Sequence, residues 1–470
     1  MADEVDVVVI GLGPGGEDAA GRLAEAGLSV VGVESRLVGG ECPYYACVPT
    51  KMMVRAAGLL AEGHRVPGMA GEATLRPEWA PVAARIRDEA TDSWDDKVAV
   101  DRLTGKGVRV VHGRGRLTAS DEVAVNGQVF RARKGIVLNT GTSPAAPPID
   151  GLAGTPFWTN REAVQATEAP ASLLVLGGGV VGVEMAQVFS RFDSRVTVVE
   201  AADRLLLNEE PEAGALLRDV FEREGIGVRT GVDVTRVAHD GDAFTLHLGD
   251  ETLTAERLLI ATGRRPNLKD LGLEHAGLDE NARQISVDGH LRAADGLWAI
   301  GDITGMGAFT HVSMYQAAIA VRDILGEEGS PAAYRAVPHV AFTDPEIGSV
   351  GLTEAQARDQ NLPVRTAVAP IAESARGWIH KAGNDGFVKL VENAEWGTLA
   401  GATAAGPAGG GDPRPPRRGR ARRDPHRHPP RDDLRLPHLP PHHRDGPRRS
   451  RRDGPRGGVR RPPDRAGSGA

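Results

Sequence analysis

The sequence predicts an α/β protein with two Rossmann-like dinucleotide-binding domains, followed by a smaller α+β domain and a C-terminal tail that cannot form a core. Two observations predict the paired domains: a glycine-rich turn between an apolar strand and a helix occurs at residues 11–16 and recurs at residues 177–182. A third is the change of composition after about residue 410, where Arg, Pro, Gly, His and Asp dominate.

Length and composition limit the class of protein. A chain of 470 residues with a net charge of −7 is too long for one core, so we expect two or three domains. No apolar run approaches the ~20 residues that span a bilayer, so no membrane partner is expected. Met1 leads almost directly into an apolar strand without a basic, cleavable leader, which favours a cytoplasmic location.

The first glycine motif has the context of a dinucleotide site. Residues 5–10 form an apolar strand that enters the turn directly. Gly11 permits the tight turn, Gly13 lets a pyrophosphate approach the backbone, and Gly16 lets the helix pack closely on the strand. Glu34 ends the next strand, eighteen residues after Gly16, where a carboxylate can accept hydrogen bonds from a ribose diol.

The second glycine motif repeats this chemistry about 165 residues later, and two such motifs imply two dinucleotides in one chain. It comprises Gly177, Gly179 and Gly182. The second dinucleotide-binding unit ends at Gly263, in an Ala-Thr-Gly turn. A carboxylate at Glu200 favours the free ribose hydroxyl of NAD over the 2′-phosphate of NADP. Arg204 nearby keeps NADP as the less favoured alternative.

The remaining strands are predicted from short apolar runs. Residues 108–111 and residues 123–129 are predicted to lie in a sheet, and residues 136–138 form a short strand that ends in a Thr-Gly-Thr turn. Residues 297–300 form another strand, which leads to Asp302, where a carboxylate can reach a cofactor polyol. From residue 337 to about residue 405 strand and turn signals alternate, which indicates a separate α+β domain.

The chain has only two cysteines, Cys42 and Cys47, with four residues between them where loop changes to helix. A helix N-terminus stabilises a thiolate through unpaired N–H groups and the helix dipole, so it lowers the pKa of a thiol where a redox pair needs it lowered. Two incidental buried thiols or half of a zinc site are the alternatives. Zinc would need further ligands at suitable spacing, and the chain has no other cysteine, so no metal site is predicted.

In these residues the chain resembles the class I FAD-dependent pyridine nucleotide–disulfide oxidoreductases, which include dihydrolipoamide dehydrogenase, glutathione reductase and mercuric reductase. The resemblance covers about residues 5–409. The glycine motifs, the Cys-x4-Cys-x-Pro-Thr-Lys segment and the Thr-Gly, Ala-Thr-Gly-x-x-Pro and Gly-Asp turns all stand in the family's order. It implies a flavoprotein enzyme that moves electrons between NAD(P)H and a disulfide substrate through FAD and a Cys42–Cys47 redox disulfide, in the manner of dihydrolipoamide dehydrogenase.

The resemblance also implies roles for individual residues. Cys47 would be the thiol on the flavin side and Cys42 the interchange thiol that meets substrate, with Lys51 and Glu184 near the isoalloxazine. The residues implied to bind FAD are Gly11, Gly13, Gly16, Glu34, Lys51, Thr140, Gly141, Thr142 and Asp302. Those implied to bind NAD(P)H are Gly177, Gly179, Gly182, Glu184, Glu200 and Gly263.

The domain order that the resemblance implies is discontinuous. Residues 1–150 form the first part of the FAD-binding domain and residues 269–334 its second part, with the NAD(P)-binding domain at residues 151–268 between them. Residues 335–409 form an incomplete interface domain, and residues 410–470 form an Arg/Pro-rich tail.

The electron acceptor is less closely defined by the resemblance. The residues between the cysteines are Pro-Tyr-Tyr-Ala, unlike the Leu-Asn-Val-Gly type of the lipoamide and glutathione enzymes. A mercuric-reductase-like or quinone-type acceptor is therefore the alternative to a disulfide, although no additional C-terminal cysteine pair supports mercury. An alternative from a different class of function is a flavin-binding protein that catalyses no reaction, because the dimer interface of the family is replaced in this chain.

The tail from residue 411 carries eighteen Arg and seven Asp, a net charge of +11 against −18 for the rest. Since it has no aromatic residue, we expect a disordered tail and no nucleic-acid binding. A shifted reading frame is the sharper hypothesis: regrouped as GC-rich codons, residues 434–441 become compatible with the family's Pro-Thr element, but without its preceding base histidine. The homodimer that the family forms through this region is therefore doubtful for this chain.

Overall fold

A parallel βαβ unit opens the chain. The computed structural model describes residues 2–407 and 409, and in it β1 (Asp3–Ile10) leads into α1 (Pro14–Glu25) and β2 (Val30–Glu34). β1 and β2 pair in parallel, from Val7 opposite Val30 to Ile10 opposite Val33. All five residues of β2 are buried, as in a strand that is covered on both faces of a parallel sheet.

The cysteine segment and an antiparallel extension of the sheet follow. The elements are α2 (Glu41–Tyr44), α3 (Cys47–Arg65), α4 (Ala80–Arg85), a π-helix (Ile86–Ala90), α5 (Lys97–Gly105), β3 (Val108–His112), β4 (Arg116–Ala119), β5 (Glu122–Val125), β6 (Gln128–Leu138) and β7 (Thr142–Pro144). Residues 123–129, which are predicted to lie in a sheet, belong to two of its strands, β5 and β6. Asn126 and Gly127 have φ angles of 49° and 79° and turn the chain between β5 and β6, as two-residue hairpin turns require.

The second glycine motif lies in an equivalent unit. Its elements are α6 (Asn160–Gln165), β8 (Ser172–Leu176), α7 (Val180–Ser190), β9 (Arg195–Glu200), α8 (Pro211–Arg223), β10 (Gly227–Thr230), β11 (Arg236–His239), β12 (Phe244–Leu248), β13 (Glu251–Ala255), β14 (Arg257–Ile260) and β15 (Arg264–Pro266). Four of these strands form a parallel sheet in the order β10-β9-β8-β14. The predicted pair of Rossmann-like sheets is therefore confirmed.

The chain then returns to the first sheet. The next elements are β16 (Arg292–Ala294), β17 (Leu297–Ala299), a 3-10 helix (Gly301–Thr304) and α9 (Thr310–Ile324). β17 pairs in parallel with β6, so that the strands run in the order β16-β17-β6-β1-β2-β3. This return places the residues after β17 beside the first glycine turn.

The last described elements form an antiparallel sheet with short helices. They are β18 (His339–Ala341), β19 (Glu346–Gly351), α10 (Glu354–Asp359), β20 (Val364–Pro370), α11 (Ala375–His380), β21 (Phe387–Asn393) and β22 (Thr398–Gly406), with the strand order β18-β19-β22-β21-β20. The predicted disordered tail and the hypothesis of a shifted frame fall on residues 410–470, outside the described residues. Within the described residues we find no helix of the length and apolarity that crossing a bilayer demands.

One hydrophobic core joins the cysteine helix to the later parts of the chain. Met53 of α3, Phe189 of α7 and Phe387 of β21 belong to the same cluster of buried side chains. Met53 and Phe189 are wholly inaccessible to solvent. The first turn of α3, with Cys47, is therefore held in a fixed position relative to the second parallel sheet.

Candidate active site

The two cysteines lie at a break between two helices. Cys42 is in the short α2, and Cys47 is the first residue of α3. Both are free thiols. The hydroxyl of Thr310, the first residue of α9, donates a hydrogen bond to the Cys42 sulfur at 3.3 Å and lies 3.6 Å from the Cys47 sulfur. The fold thus brings both cysteines to one hydroxyl from a distant part of the chain.

The two thiols differ in acidity. Hydrogen bonding with Cys42 lowers the pKa of Cys47 to about 6, and the Thr310 hydroxyl and the charge of Lys51 act in the same direction. The same hydrogen bond raises the pKa of Cys42, and burial raises it further. Cys47 is therefore the thiolate of the pair at neutral pH, and Cys42 is the thiol.

An ion pair lies one helical turn beyond Cys47. Lys51 Nζ is 2.6 Å from Glu184 Oε2 of α7, and the Glu184 side chain is only 3% exposed. The backbone N–H of Phe342 donates to the other Glu184 oxygen at 2.9 Å. The Phe342 ring centroid lies 4.6 Å from the Lys51 ammonium, within the range of a cation–π contact. Three separate parts of the chain therefore hold this pair.

The first glycine turn is packed too closely for side chains at two positions. A Cβ on Gly11, where φ is +92°, would lie 2.2 Å from the Asn139 carbonyl oxygen, and one on Gly16 would lie 1.9 Å from the Gly11 carbonyl oxygen. A Cβ on Gly13 would meet nothing closer than 3.5 Å. Gly11 and Gly16 thus serve the turn itself, while Gly13 leaves an open backbone surface at the start of α1.

Glu34 closes this turn from the neighbouring strand. Its carboxylate accepts hydrogen bonds from the backbone N–H groups of Leu12 and Arg36, each at 2.8 Å. Burial raises the pKa of Glu34, although these two hydrogen bonds oppose the shift. Each carboxylate oxygen can accept a further hydrogen bond, so Glu34 can support the turn and still bind a hydroxyl.

The turn after β6 faces the segment after β17. The Thr142 hydroxyl donates to the Asp302 carboxylate at 2.7 Å, and Arg264 Nε donates to the same hydroxyl at 2.7 Å. Gly141 has a φ of 64°. The hydroxyl oxygen of Thr140 is buried and has no hydrogen-bond partner in the part of the chain that the structure describes. A buried hydroxyl is normally paired, so Thr140 fits a site that a bound cofactor completes.

The second glycine turn repeats the first in detail. A Cβ on Gly177 would lie 2.4 Å from the Ala261 carbonyl oxygen and one on Gly182 only 1.9 Å from the Gly177 carbonyl oxygen, whereas one on Gly179 would meet nothing within 4 Å. The carboxylate of Glu200 accepts the Gly178 N–H at 2.6 Å and the Ala202 N–H at 2.7 Å. The remaining predicted residue, Gly263, has a φ of +131° and likewise open space around it.

Sequence reasoning missed three residues of this site: Thr310, Asn139 and Phe342. Asn139 accepts the Gly16 N–H at 2.7 Å and donates to the Ile300 carbonyl at 3.0 Å, so it ties the first glycine turn to the segment that carries Asp302. Its position directly before Thr140, at the end of a strand, was the one available signal. Thr310 and Phe342 belong to no motif. Thr310 contacts Cys47 across 263 residues of sequence, and Phe342 contacts Glu184 across 158.

Two family patterns match the chain: "Pyridine nucleotide-disulphide oxidoreductase" over residues 5–322, and the dimerisation domain of the same family over residues 337–411. Dihydrolipoyl dehydrogenase of Thermus scotoductus is 34% identical, over 86% of this chain and 88% of its own. Mercuric reductase of Streptomyces lividans is 35% identical, over 84% of each chain. Among solved structures, an HOCl-induced flavoprotein disulfide reductase from Escherichia coli is similar with a TM-score of 0.76 and 28% identity, over 86% of this chain and 91% of its own.

Proposed function

Because this chain belongs to the pyridine nucleotide–disulphide oxidoreductase family and is an FAD-dependent enzyme, we propose that Cys42 and Cys47 carry electrons between NAD(H) and a small disulfide, as in dihydrolipoyl dehydrogenases. The observation that carries this proposal is the thiol pair itself. One sulfur has its pKa lowered to about 6, and both sulfurs share the hydroxyl of Thr310. Such a pair is suited to reversible disulfide exchange.

The exchange follows from the different acidity of the two thiols. Cys42 passes its proton to Cys47 and, as a thiolate, attacks one sulfur of the substrate disulfide; it forms a mixed disulfide and releases the first substrate thiolate, which takes the proton from Cys47. The Cys47 thiolate then attacks the Cys42 sulfur, closes the Cys42–Cys47 disulfide and releases the second substrate thiolate. Two electrons pass from the dithiol to the substrate. Bound flavin supplies the link to nicotinamide, since it can accept a hydride and pass an electron pair to a disulfide.

We assign FAD to the first glycine turn. The open backbone at Gly13, at the start of α1, suits a pyrophosphate, and Glu34 lies where it can bind a ribose hydroxyl. The buried hydroxyl of Thr140, which pairs with no group of the described residues, and the carboxylate of Asp302 supply further polar groups for the cofactor. We add the ion pair of Lys51 with the buried Glu184, one helical turn beyond Cys47.

We assign NAD(H) to the second turn, around Gly179, Glu200 and Gly263. A carboxylate at Glu200 repels a 2′-phosphate, so NAD is favoured over NADP. Arg204, which kept NADP open, donates to the backbone carbonyl of Leu207 at 2.8 Å. This contact gives Arg204 a structural role in the loop after β9 and supports the preference for NAD.

We further propose a homodimer, formed through the region that matches the dimerisation domain. Trp378, Ile379 and Trp396 in this region are 64–74% exposed, and such large apolar side chains suit an interface with a second copy. The match ends at residue 411, next to the change of composition, which supports a shifted frame from about residue 410. Gene sequencing across that position tests the shift. A reversible cysteine pair also suits the reducing cytoplasm, where we place the protein.

An acceptor assay tests the proposed function. The purified flavoprotein is mixed with NADH and, in turn, lipoamide, a quinone and Hg(II), and NADH oxidation is followed by absorbance. We expect turnover with the disulfide and a long-wavelength thiolate–flavin band on reduction. Flavin binding with no turnover on any acceptor would contradict the proposal and favour a non-enzymatic flavoprotein.

The alternative acceptor is a thiophilic metal ion or a quinone. Two observations favour it: the Pro-Tyr-Tyr-Ala sequence between the cysteines, and the similarity to mercuric reductase of Streptomyces lividans. In that case the assay shows NADH oxidation with Hg(II) or quinone and none with lipoamide. The thiolate–flavin band is expected under both readings, so the acceptor alone separates them.

Alanine at Gly179 is expected to weaken NADH binding without destabilising the fold. Its Cβ would enter open space in the protein, but would stand where the assigned pyrophosphate approaches the backbone. We expect the KM for NADH to rise about tenfold, which corresponds to about 1.4 kcal/mol. Gly182→Ala is the matched control, because its Cβ would clash with the Gly177 carbonyl and lower the melting temperature instead. An unchanged KM in Gly179→Ala would contradict the assignment.

A further inference from the structure

The hydroxyl of Thr310 lies between the two cysteine sulfurs. It donates to Cys42 Sγ at 3.3 Å and is 3.6 Å from Cys47 Sγ. A hydroxyl carries one hydrogen, so it can donate to only one of these sulfurs at a time. In the structure it donates to Cys42, and because a thiolate accepts a hydrogen bond more strongly than a thiol does, this bond strengthens when Cys42 becomes charged.

Disulfide exchange requires this charge to move. Cys47 holds the negative charge at rest, but Cys42 must be the thiolate when it attacks a substrate disulfide. Both sulfurs lie beside the Thr310 hydroxyl, and the step passes a proton from Cys42 Sγ to Cys47 Sγ while the negative charge moves the opposite way and no electron pair leaves either sulfur. Burial opposes a charge on Cys42, so the step needs a donor for that sulfur.

We propose that Thr310 is the positioning residue for this proton transfer: its hydroxyl, which donates to Cys42 and lies beside Cys47, stabilises Cys42 as the attacking thiolate. The proposal rests on the proposed function, because it takes Cys42 as the thiol that meets the substrate. Thr310 is suited to this role because it is the first residue of the 15-residue α9. The neighbouring rings of Phe309 and His311 stack at 5.4 Å and hold this end of the helix.

The other polar groups near the sulfurs do not duplicate this role. The charge of Lys51 acts on both sulfurs, but its ammonium is held 2.6 Å from Glu184. Burial lowers the pKa of His311, so the next side chain along α9 is neutral at physiological pH. Within residues 2–407 and 409, Thr310 is the only side chain besides the cysteines themselves that hydrogen-bonds to either sulfur.

The test compares Thr310→Val with Thr310→Ser in the reduced holoenzyme. Valine keeps the shape of threonine and removes the hydroxyl, whereas serine keeps the hydroxyl. Iodoacetamide alkylation of Cys42 and of Cys47 is followed separately by peptide mass spectrometry across the neutral pH range. We expect Thr310→Val to slow Cys42 alkylation about tenfold, the effect of losing a hydrogen bond to a charged group, and Thr310→Ser to stay within about twofold of the unmodified protein.

Two results would overturn the proposal: equal Cys42 alkylation in Thr310→Val and the unmodified protein, or an equal loss in the valine and serine variants. Should Thr310→Val fail to retain flavin, Thr310→Ala takes its place with the same expectations. Alkylation needs neither an acceptor nor turnover, so it tests Thr310 separately from the proposed function. If the proposed function is wrong, NADH oxidation is missing but the alkylation rates of the variants still differ. If only the role of Thr310 is wrong, NADH oxidation occurs and the alkylation rates are equal.

Discussion

Replacing Cys47 by serine is expected to abolish disulfide reduction while FAD stays bound. A serine hydroxyl has no accessible anion at neutral pH and cannot close a disulfide with Cys42, so the second exchange step is lost and the mixed disulfide on Cys42 is not resolved. We expect NADH-dependent reduction of a disulfide to fall below about a thousandth of the unmodified rate. The flavin content should remain, because the glycine turn, Glu34 and Asn139 do not depend on Cys47.

Cys42→Ser is the matched control for this experiment. It also removes the disulfide, but it leaves Cys47 as the sulfur assigned to the flavin side. We therefore expect Cys42→Ser to lose turnover yet keep a long-wavelength thiolate–flavin band, and Cys47→Ser to lose both. A band that survives in Cys47→Ser would reverse the assignment of the two sulfurs. Turnover that survives in either variant would exclude the dithiol mechanism.

The lowered pKa of Cys47 also predicts a pH dependence. A thiol whose pKa is lowered to about 6 carries its charge at neutral pH and loses it as the pH falls through about 6. In the reduced protein, thiolate absorbance should accordingly disappear with a midpoint near pH 6, and Cys47→Ser should lack this titration. A midpoint near the ordinary thiol value of about 8.5 would mean that Cys42, Thr310 and Lys51 do not act on the Cys47 sulfur as described.

Much of the fold could be predicted because the two glycine motifs are local. Strand, turn, helix and the acid at the end of the next strand all lie within about thirty residues, so their order alone specifies the unit. The duplication extends further than predicted: Glu34 and Glu200 each accept an N–H from the residue that follows the first glycine of the motif. Within the sheet predicted over residues 123–129, the hairpin turn has a local signal of its own, Asn126-Gly127.

The contacts that complete the site join residues that are far apart in the sequence. Thr310 reaches the cysteines across more than 260 residues, and the Asn139 side chain reaches the Gly16 N–H across 123. Such contacts exist only after the two parallel sheets have formed and β17 has returned to pair with β6. No spacing in the sequence encodes them, so motif analysis identified the cysteines and glycines but not the polar side chains that orient them.

A buried cluster of charges depends on the same long-range assembly. Lys389 of β21 is 3% exposed and lies 2.9 Å from Glu210, 2.7 Å from Glu212 and 2.9 Å from Glu354. Burial opposes the charge on Lys389, but the three carboxylates outweigh it and raise its pKa. The Glu210 side chain is itself only 2% exposed. The cluster therefore joins the C-terminal sheet to the start of α8 in the second nucleotide-binding unit.

Lys389→Met is expected to weaken this junction by about 3–5 kcal/mol, because it leaves the buried carboxylate of Glu210 without its partner. Amide hydrogen exchange in β21 and β22 measures the local free energy of opening, and thermal unfolding gives an independent readout. Lys97→Met is the matched control: Lys97 and Asp101 form an exposed pair that solvent screens, so its loss should leave the free energy of opening in β21 and β22 unchanged. Adding Glu210→Gln to Lys389→Met should recover part of the loss, since the double variant no longer buries an unpaired charge. If Lys389→Met opens these strands no more readily than Lys97→Met does, the cluster does not hold the C-terminal sheet in place.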